Sequence, residues 1–188
     1  MATISTADFK NGMGLKINGK YYTIVEFQHV KPGKGGAFVR YKIRDLKTGR
    51  VIDQTCNAGT KFENVQLITK EMQYLYNDGD SYYFMDNETY EQIAVPTDFI
   101  GENAKWFKEN DNASLLYADT ELLGVEPPMF IEVEITQTDP GFKGDTVQGG
   151  SKPATIETGA VIQVPMYLNQ GEVIKVDTRD GGKFVSRV

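Results

Sequence analysis

Short runs of alternating hydrophobic and polar residues dominate the chain and predict β-strands. Val, Ile, Tyr, Phe and Thr recur at every second position, and Gly, Asn and Asp bound the runs. Dipeptides such as Asn18-Gly19 and Asp78-Gly79 favour tight turns between strands. The clearest predicted strands are Tyr21 to Gln28, Phe38 to Arg44, Val51 to Asn57, Val65 to Met72, Ser81 to Asp86, Ser114 to Ala118, Phe130 to Thr136, Val161 to Met166 and Val173 to Asp177.

A single segment, residues 97–108, predicts a helix. Thr97 can cap its N-terminus, whereas Gly101 weakens the helical pattern. Its apolar positions are Phe99, Ile100, Trp106 and Phe107. The chain is therefore expected to be all-β, with this one short helical element.

So many short strands in 188 residues suit small barrels, because closure leaves no sheet edge exposed. The candidate joints are Gly59 to Asn64 and Val125 to Pro128. The paired Pro127 and Pro128 stiffen the second joint and favour an elongated arrangement. The predicted domains are residues 1–64, 65–127 and 128–188.

Charge is distributed unevenly over these three segments. The first holds eleven basic against five acidic residues, the second three against thirteen, and the third six against eight, within a formal net charge of −6. This pattern suggests that the first domain seeks phosphate, while the middle domain is repelled by it or meets a basic protein surface. The alternative interpretation is that charge merely fluctuates between solvated faces.

The composition, 40% hydrophobic, is that of a folded protein. The first ten residues do not read as a leader, and no eighteen apolar residues run together, so a cytoplasmic protein without membrane association is expected. The single cysteine, Cys56, cannot form an internal disulfide, which suits a reducing compartment.

The residues that usually carry catalysis are scarce. His29 is the only histidine, and the sequence shows no metal-ligand spacing, no Gly-x-Ser-x-Gly motif and no Gly-Lys-Ser/Thr phosphate loop. We therefore predict no catalytic residue, no metal and no cofactor. An enzyme using Cys56 with His29 stays open as an alternative, although nothing in the spacing supports it.

Residues 29–38, with the sequence HVKPGKGGAF, are the most informative segment. Predicted strands flank them, so the segment is expected to be a hairpin tip with Lys34 between glycines, which let the backbone approach another surface closely. A cluster of basic residues that can follow a phosphate backbone surrounds the tip: Lys31, Lys34, Arg40, Lys42 and Arg44. The alternative is a turn with a solubilising lysine.

A second glycine-rich stretch, residues 139–153, is long for a loop inside a barrel. Its glycine amides can approach RNA sugar or phosphate, and Asp145 and Thr146 can hydrogen-bond to bases or 2′-hydroxyls. The alternative is a flexible connector between strands.

Four segments together resemble the bacterial elongation factor P family: Ile4 to Gly12, Lys31 to Phe38, Gly149 to Pro165 (GGSKPATIETGAVIQVP) and Ile174 to Arg179. The third segment is long and specific. The resemblance implies an N-terminal KOW/SH3-like barrel followed by two OB-fold barrels, in an elongated, L-shaped, tRNA-like arrangement. It implies a non-catalytic, monomeric factor that binds both ribosomal subunits and rRNA between the peptidyl and exit sites. There it would position peptidyl-tRNA, assist the ribosomal peptidyl transferase and relieve stalling at consecutive prolines.

The resemblance also implies two sites. Lys34 would be modified by a lysine-modifying enzyme, and contacts to the CCA end of peptidyl-tRNA would come from Lys31, Pro32, Gly33, Lys34, Gly35, Gly36 and Arg40. Contacts to exit-site mRNA and the small subunit would come from Gly144, Asp145, Thr146, Gly149 and Gly150. Phe184 stands where many members have tyrosine.

The alternative function is that of a general single-stranded RNA-binding OB-fold protein. The aromatic residues available to stack on bases would be Tyr74, Tyr76, Tyr82, Tyr83 and Phe84. They fall in the acidic middle domain, where phosphate is repelled, and their alternation fits core and surface positions of a barrel.

Overall fold

The computed structural model describes residues 2–141 and 150–188. Within them the chain forms sixteen strands: β1 Ala2–Ser5, β2 Gly14–Ile17, β3 Lys20–Val30, β4 Phe38–Asp45, β5 Val51–Asn57, β6 Lys61–Val65, β7 Leu67–Asn77, β8 Ser81–Asp86, β9 Gln92–Pro96, β10 Asn112–Ala118, β11 Glu121–Glu126, β12 Phe130–Thr138, β13 Ser151–Ile156, β14 Val161–Pro165, β15 Val173–Asp177 and β16 Lys183–Arg187. One α-helix, α1, spans Thr97–Ile100, and 3₁₀ turns span Thr6–Asp8, Gly101–Trp106 and Arg179–Gly181.

The strands form three successive sheets. Their orders are β1-β6-β2-β3-β4-β5, β11-β10-β7-β8-β9 and β14-β13-β12-β15-β16. In the third sheet the edge strands β14 and β16 also lie side by side, which curls that sheet toward closure. The predicted all-β class with three β-domains is confirmed.

The first sheet follows the predicted alternation. Asn18 and Gly19 both have positive φ, as a two-residue turn between β2 and β3 requires, and Gly14 pairs with Thr23 beyond the turn. The inward positions of the longer strands form a core with residues of the N-terminal segment: Phe9, Leu15, Ile24, Val39, Tyr41 and Ile43. Removing these apolar side chains from water is the main force that stabilises the sheet.

The described chain divides into two compact units. The first comprises Met1–Lys70 and Leu115–Gly124. In it Tyr21 packs against Val65, Ala118 and Leu123, and its hydroxyl donates a hydrogen bond of 2.5 Å to Glu121. That hydrogen bond raises the pKa of the Tyr21 phenol.

The second unit comprises Glu71–Ser114 and Val125–Val188. Trp106, only 3% exposed, lies in the same apolar cluster as Ile131, Val133 and the other core residues of the third sheet. A methyl group at Gly182 would come within 2.1 Å of the Trp106 ring, so the ring lies directly on the backbone there. This indole therefore joins the 3₁₀ turn at 101–106 to the third sheet.

The predicted helix over 97–108 is wrong in extent. Helix α1 lasts four residues, because Gly101 has a φ of +60° and the chain continues as a 3₁₀ turn. Thr97 is not the N-cap, since its hydroxyl donates to the carbonyl of Gly79 at 3.2 Å and Pro96 takes the cap position.

The predicted strand from Val65 to Met72 is two strands, β6 and β7, separated at Gln66. The Gln66 amide donates to the Asp119 carboxylate at 2.9 Å instead of entering a strand ladder. Most of the candidate joint at Gly59 to Asn64 lies in β6, which pairs with both β1 and β2.

Among the residues that the structure describes, no helix is both long and apolar enough to cross a membrane.

Candidate functional site

Strands β3 and β4 form the hairpin that carries the predicted tip. Their antiparallel register runs from Tyr22 opposite Asp45 to Val30 opposite Phe38, with a bulge between Ile24 and Glu26. Strand β3 is 11 residues long and β4 is 8, and β5 extends the sheet on the other side of β4. The tip, residues 31–37, therefore stands at the end of a long strand pair.

The tip residues 31–36 are all exposed. Gly35 has a φ of +107°, which favours glycine, and a methyl group added at Gly33 or Gly36 would meet nothing within 4 Å. Lys34 forms no hydrogen bond or ion pair with any residue that the structure describes. The structure thus presents a free ammonium group on a narrow, glycine-flanked turn.

The base of the tip is firmly held. The Ala58 amide donates to the Ala37 carbonyl at 2.9 Å, which ties the tip to the turn after β5. Val39, the second residue of β4, is fully buried in the first-sheet core. Because the strands below the tip pack and pair, the position of the tip is set by the sheet.

The basic residues around the tip differ in whether they have a partner within the sheet. Arg40, Lys42 and Arg44 alternate with buried residues on β4 and so share its outer face. The Lys42 ammonium lies 2.6 Å from the Glu26 carboxylate across the strand pair, and this hydrogen bond raises the pKa of Lys42. Arg40 lies 5.5 Å from the centre of the Phe38 ring. Lys42 is thus engaged within the sheet, unlike Lys34.

The register argues against a joint Cys56 and His29 site. Val39 pairs with both residues, so the whole of β4 separates them by two strand spacings, about 10 Å. Burial raises the pKa of the Cys56 thiol, which disfavours the reactive thiolate. His29 makes an edge-to-face contact with the Phe27 ring, at 5.6 Å between centroids.

The aromatic residues of the middle domain are largely used in packing. Tyr74 and Phe84 are 3% and 0% exposed, and both contact the Phe107 ring. Tyr76 stacks on Tyr83 at 4.6 Å instead of presenting both its faces to solvent. These positions fit the predicted alternation of core and surface residues in this segment.

The second predicted site falls mostly outside the described residues: Gly144, Asp145, Thr146 and Gly149. Gly150 is described, and it is exposed just before β13. The sequence reasoning missed Lys152, which is 4% exposed. Its place in an alternating run with Ala154 and Ile156 is the signal that could have identified it as an inward position.

Phe184 lies on β16 opposite Val176 and packs, half-buried, against the third-sheet core. In residues 2–141 and 150–188, no three His, Cys, Asp or Glu side chains are grouped so that they could hold a metal ion.

Three protein families match successive parts of the chain. The Elongation factor P (EF-P) KOW-like domain matches residues 5–62, the Elongation factor P (EF-P) OB domain residues 67–125, and the Elongation factor P C-terminal domain residues 131–187.

Whole proteins match over the same length. The elongation factor P of Caldanaerobacter subterraneus subsp. tengcongensis is 52% identical over 185 residues, covering 98% of this chain and 100% of that protein. That of Corynebacterium jeikeium is 53% identical over 188 residues, covering 100% of this chain and 99% of that protein.

Two solved structures have a similar fold. A eukaryotic translation initiation factor 5A from Methanococcus jannaschii has a TM-score of 0.50 at 22% identity, covering 66% of this chain and 95% of that chain. A translation initiation factor eIF-5A family protein from Naegleria fowleri has a TM-score of 0.54 at 18% identity, covering 66% and 94%. At these identities the likeness shows the fold alone.

Proposed function

Because the chain belongs to the elongation factor P family of translation elongation factors, we propose that it binds the ribosome between the peptidyl and exit sites and stimulates peptide-bond formation. It acts on peptidyl-tRNA and relieves stalling at consecutive prolines. Its domains are residues 1–64, 65–127 and 128–188, and it works as a cytoplasmic monomer.

The observation that carries this proposal is the unengaged Lys34 at the hairpin tip. Its neighbours Gly33 and Gly36 leave open space where side chains would otherwise stand. An ammonium group that is already paired, like that of Lys42 with Glu26, would have to break its ion pair before it could bind phosphate. Lys34 has no such partner among the described residues, so its contact with RNA costs no internal interaction.

The mechanism is positioning. Proline reacts slowly because its ring restricts the geometry of the reacting groups, and correct orientation alone is worth up to about 7–11 kcal/mol in favourable cases. The tip, with Lys31 to Gly36 and Arg40, contacts the CCA end and lowers the entropy of peptidyl-tRNA. A modification of Lys34 by a dedicated enzyme lengthens the reach of that side chain. No acid, base or nucleophile of this chain is needed, since the ribosomal peptidyl transferase supplies the reaction.

The second contact is to exit-site mRNA and small-subunit RNA through Gly144, Asp145, Thr146, Gly149 and Gly150. Carboxylate, hydroxyl and backbone amide groups suit hydrogen bonding to bases and 2′-hydroxyls rather than neutralisation of phosphate. The two contacts therefore have different roles: the tip contacts the CCA end of the tRNA, and this segment contacts messenger RNA.

Synthesis of a Pro-Pro-Pro peptide in a reconstituted translation system tests the proposal. We expect the Lys34→Ala variant to lose the stimulation given by the unsubstituted protein. The control is Lys10→Ala, which replaces an exposed lysine of the same compact unit and should retain the stimulation. Equal stimulation by both variants would rule out the tip lysine.

Binding to free single-stranded oligonucleotides separates this function from general RNA binding. We expect weak filter retention of the oligonucleotides and tight binding to ribosomes. Intact mass of the native protein, with the tip peptide sequenced, shows whether Lys34 carries a modification.

A further inference from the structure

Lys152 occupies a core position of the third sheet. Strand β13 points Lys152, Ala154 and Ile156 inward, and Lys152 pairs with the buried Val164 of β14. Inward positions of a small barrel are normally apolar, and lysine is almost never fully buried unless its charge is compensated. An ammonium group at this position therefore requires a specific explanation.

The Lys152 ammonium donates a hydrogen bond to the backbone carbonyl of Asp139. It forms no ion pair with any carboxylate in the described part of the chain. Asp139 directly follows β12, so this bond joins the end of β12 to the start of β13. The dipole of the Asp139 carbonyl therefore offsets part of the free-energy cost of burying the Lys152 ammonium.

The backbone ladder has fewer hydrogen-bond donors where β12 and β13 end. The last pair of β12 and β13 is Thr138 opposite Ala154, and the next two positions involve Pro153 and Pro140, which have no N–H to donate. Side chains replace the missing bonds. The Thr138 hydroxyl donates to the Pro153 carbonyl at 3.0 Å, and Lys152 donates to Asp139.

Two glycines add a second constraint to these residues. A methyl group at Gly141 would lie 2.3 Å from the carbonyl oxygen of Met166, so the Gly141 backbone presses directly against it. A methyl group at Gly150 would lie 3.4 Å from Cγ of the same methionine. Both residues that bound segment 142–149 thus lie against Met166. We call residues 138–141 and 150–153 the stem.

We propose that Lys152 is a positioning residue: its buried ammonium closes the stem and so fixes the positions of Gly141 and Gly150, the described residues on either side of 142–149. This proposal rests on the function proposed above for that segment. A buried charge is a poor source of stability, since apolar replacements of similar volume are often neutral or stabilising. A lysine at this core position fits a geometric role better than a stabilising one.

The stem can be tested in the free protein by backbone ¹⁵N relaxation. Lys152→Met keeps the buried volume and removes the donor, and Lys183→Met, on the exposed face of β16, is the matched control. We expect order parameters of Gly141, Gly150 and Ser151 to fall from about 0.85 to below about 0.6 in Lys152→Met only. Unchanged values would overturn the proposal. If Lys152→Met does not fold, Lys152→Gln, which removes the charge and shortens the donor, is judged by the same values.

The ribosome provides the functional readout. We expect Lys152→Met to weaken binding about tenfold, as for a lost hydrogen bond to a charged group, and Asp145→Ala with Thr146→Ala to weaken it at least as much. The triple variant should bind no more weakly than the double variant, because the stem acts through that segment. Additive losses would overturn the positioning role. If the double variant binds like the unsubstituted protein, the function proposed for the segment fails, while the relaxation data still decide whether Lys152 closes the stem.

Discussion

The two glycine-rich regions, the hairpin tip and the stem, use the same residue types in opposite ways. At the tip, methyl groups at Gly33 and Gly36 would meet open space, and Lys34 is exposed without a described partner. In the stem, Gly141 presses against a carbonyl of its own chain, and Lys152 is buried with its ammonium on another.

Composition alone therefore does not define what such a segment does. Glycine at the tip leaves room for a different molecule, whereas glycine in the stem leaves room for the protein itself. A lysine is available to a ligand only when its ammonium has no internal partner. The following experiments test this contrast.

The largest expected difference is in stability. Gly141→Ala forces its methyl group against the Met166 backbone, so we expect the free energy of unfolding to fall by about 1–3 kcal/mol. Gly36→Ala has open space and no positive φ, so its effect should stay within about 1 kcal/mol and can be stabilising. Urea unfolding of both variants measures the difference, and equal losses would refute the contrast.

A smaller effect concerns the base of the tip. Cys56 pairs with Val39 just below it, and burial raises the pKa of the thiol, so less thiolate is present near pH 8. We expect an aromatic disulfide reagent to modify the native protein several-fold more slowly than the urea-unfolded protein. Equal rates would mean that the strands under the tip open freely, and the tip would then lack a fixed base.

The smallest effect concerns the charges beside the tip. Glu26 raises the pKa of Lys42 above its ordinary 10.5, and Asp53 contributes less. We expect Glu26→Gln to lower the Lys42 pKa, measured by ¹³C NMR of the side chain, more than Asp53→Asn does. While Glu26 is ionised, the raised pKa means that the ion pair contributes to stability below pH 10.5 and is lost as pH rises through the folded value. No change in either variant would mean that Lys42 is as free as Lys34.

Regular alternation made much of the fold predictable. Strands β5, β8 and β15 have the predicted bounds, because a half-buried strand shows its period in the sequence. The tip was predictable for a related reason, since strand patterns on both sides of Pro32 to Gly36 left only a hairpin. The predicted elongated, tRNA-like arrangement stays a prediction.

Features that depend on distant contacts were not predictable. Gln66 ends a strand because its amide meets Asp119, which lies 53 residues further along the chain. Trp106 was expected on an amphipathic helix, but the indole lies in the core of another sheet. Lys152 carries no local signal beyond its alternation with Ala154, because charged residues are assigned to the surface by default.

Cryo-electron microscopy of the protein on a ribosome stalled at consecutive prolines can locate the Lys34 side chain. The account predicts the Lys34 side chain within about 3 Å of a phosphate or ribose oxygen of the peptidyl-tRNA CCA end, directly or through its modification. A tip that lies against protein, or that is separated from the CCA end by more than one bridging water, would contradict it.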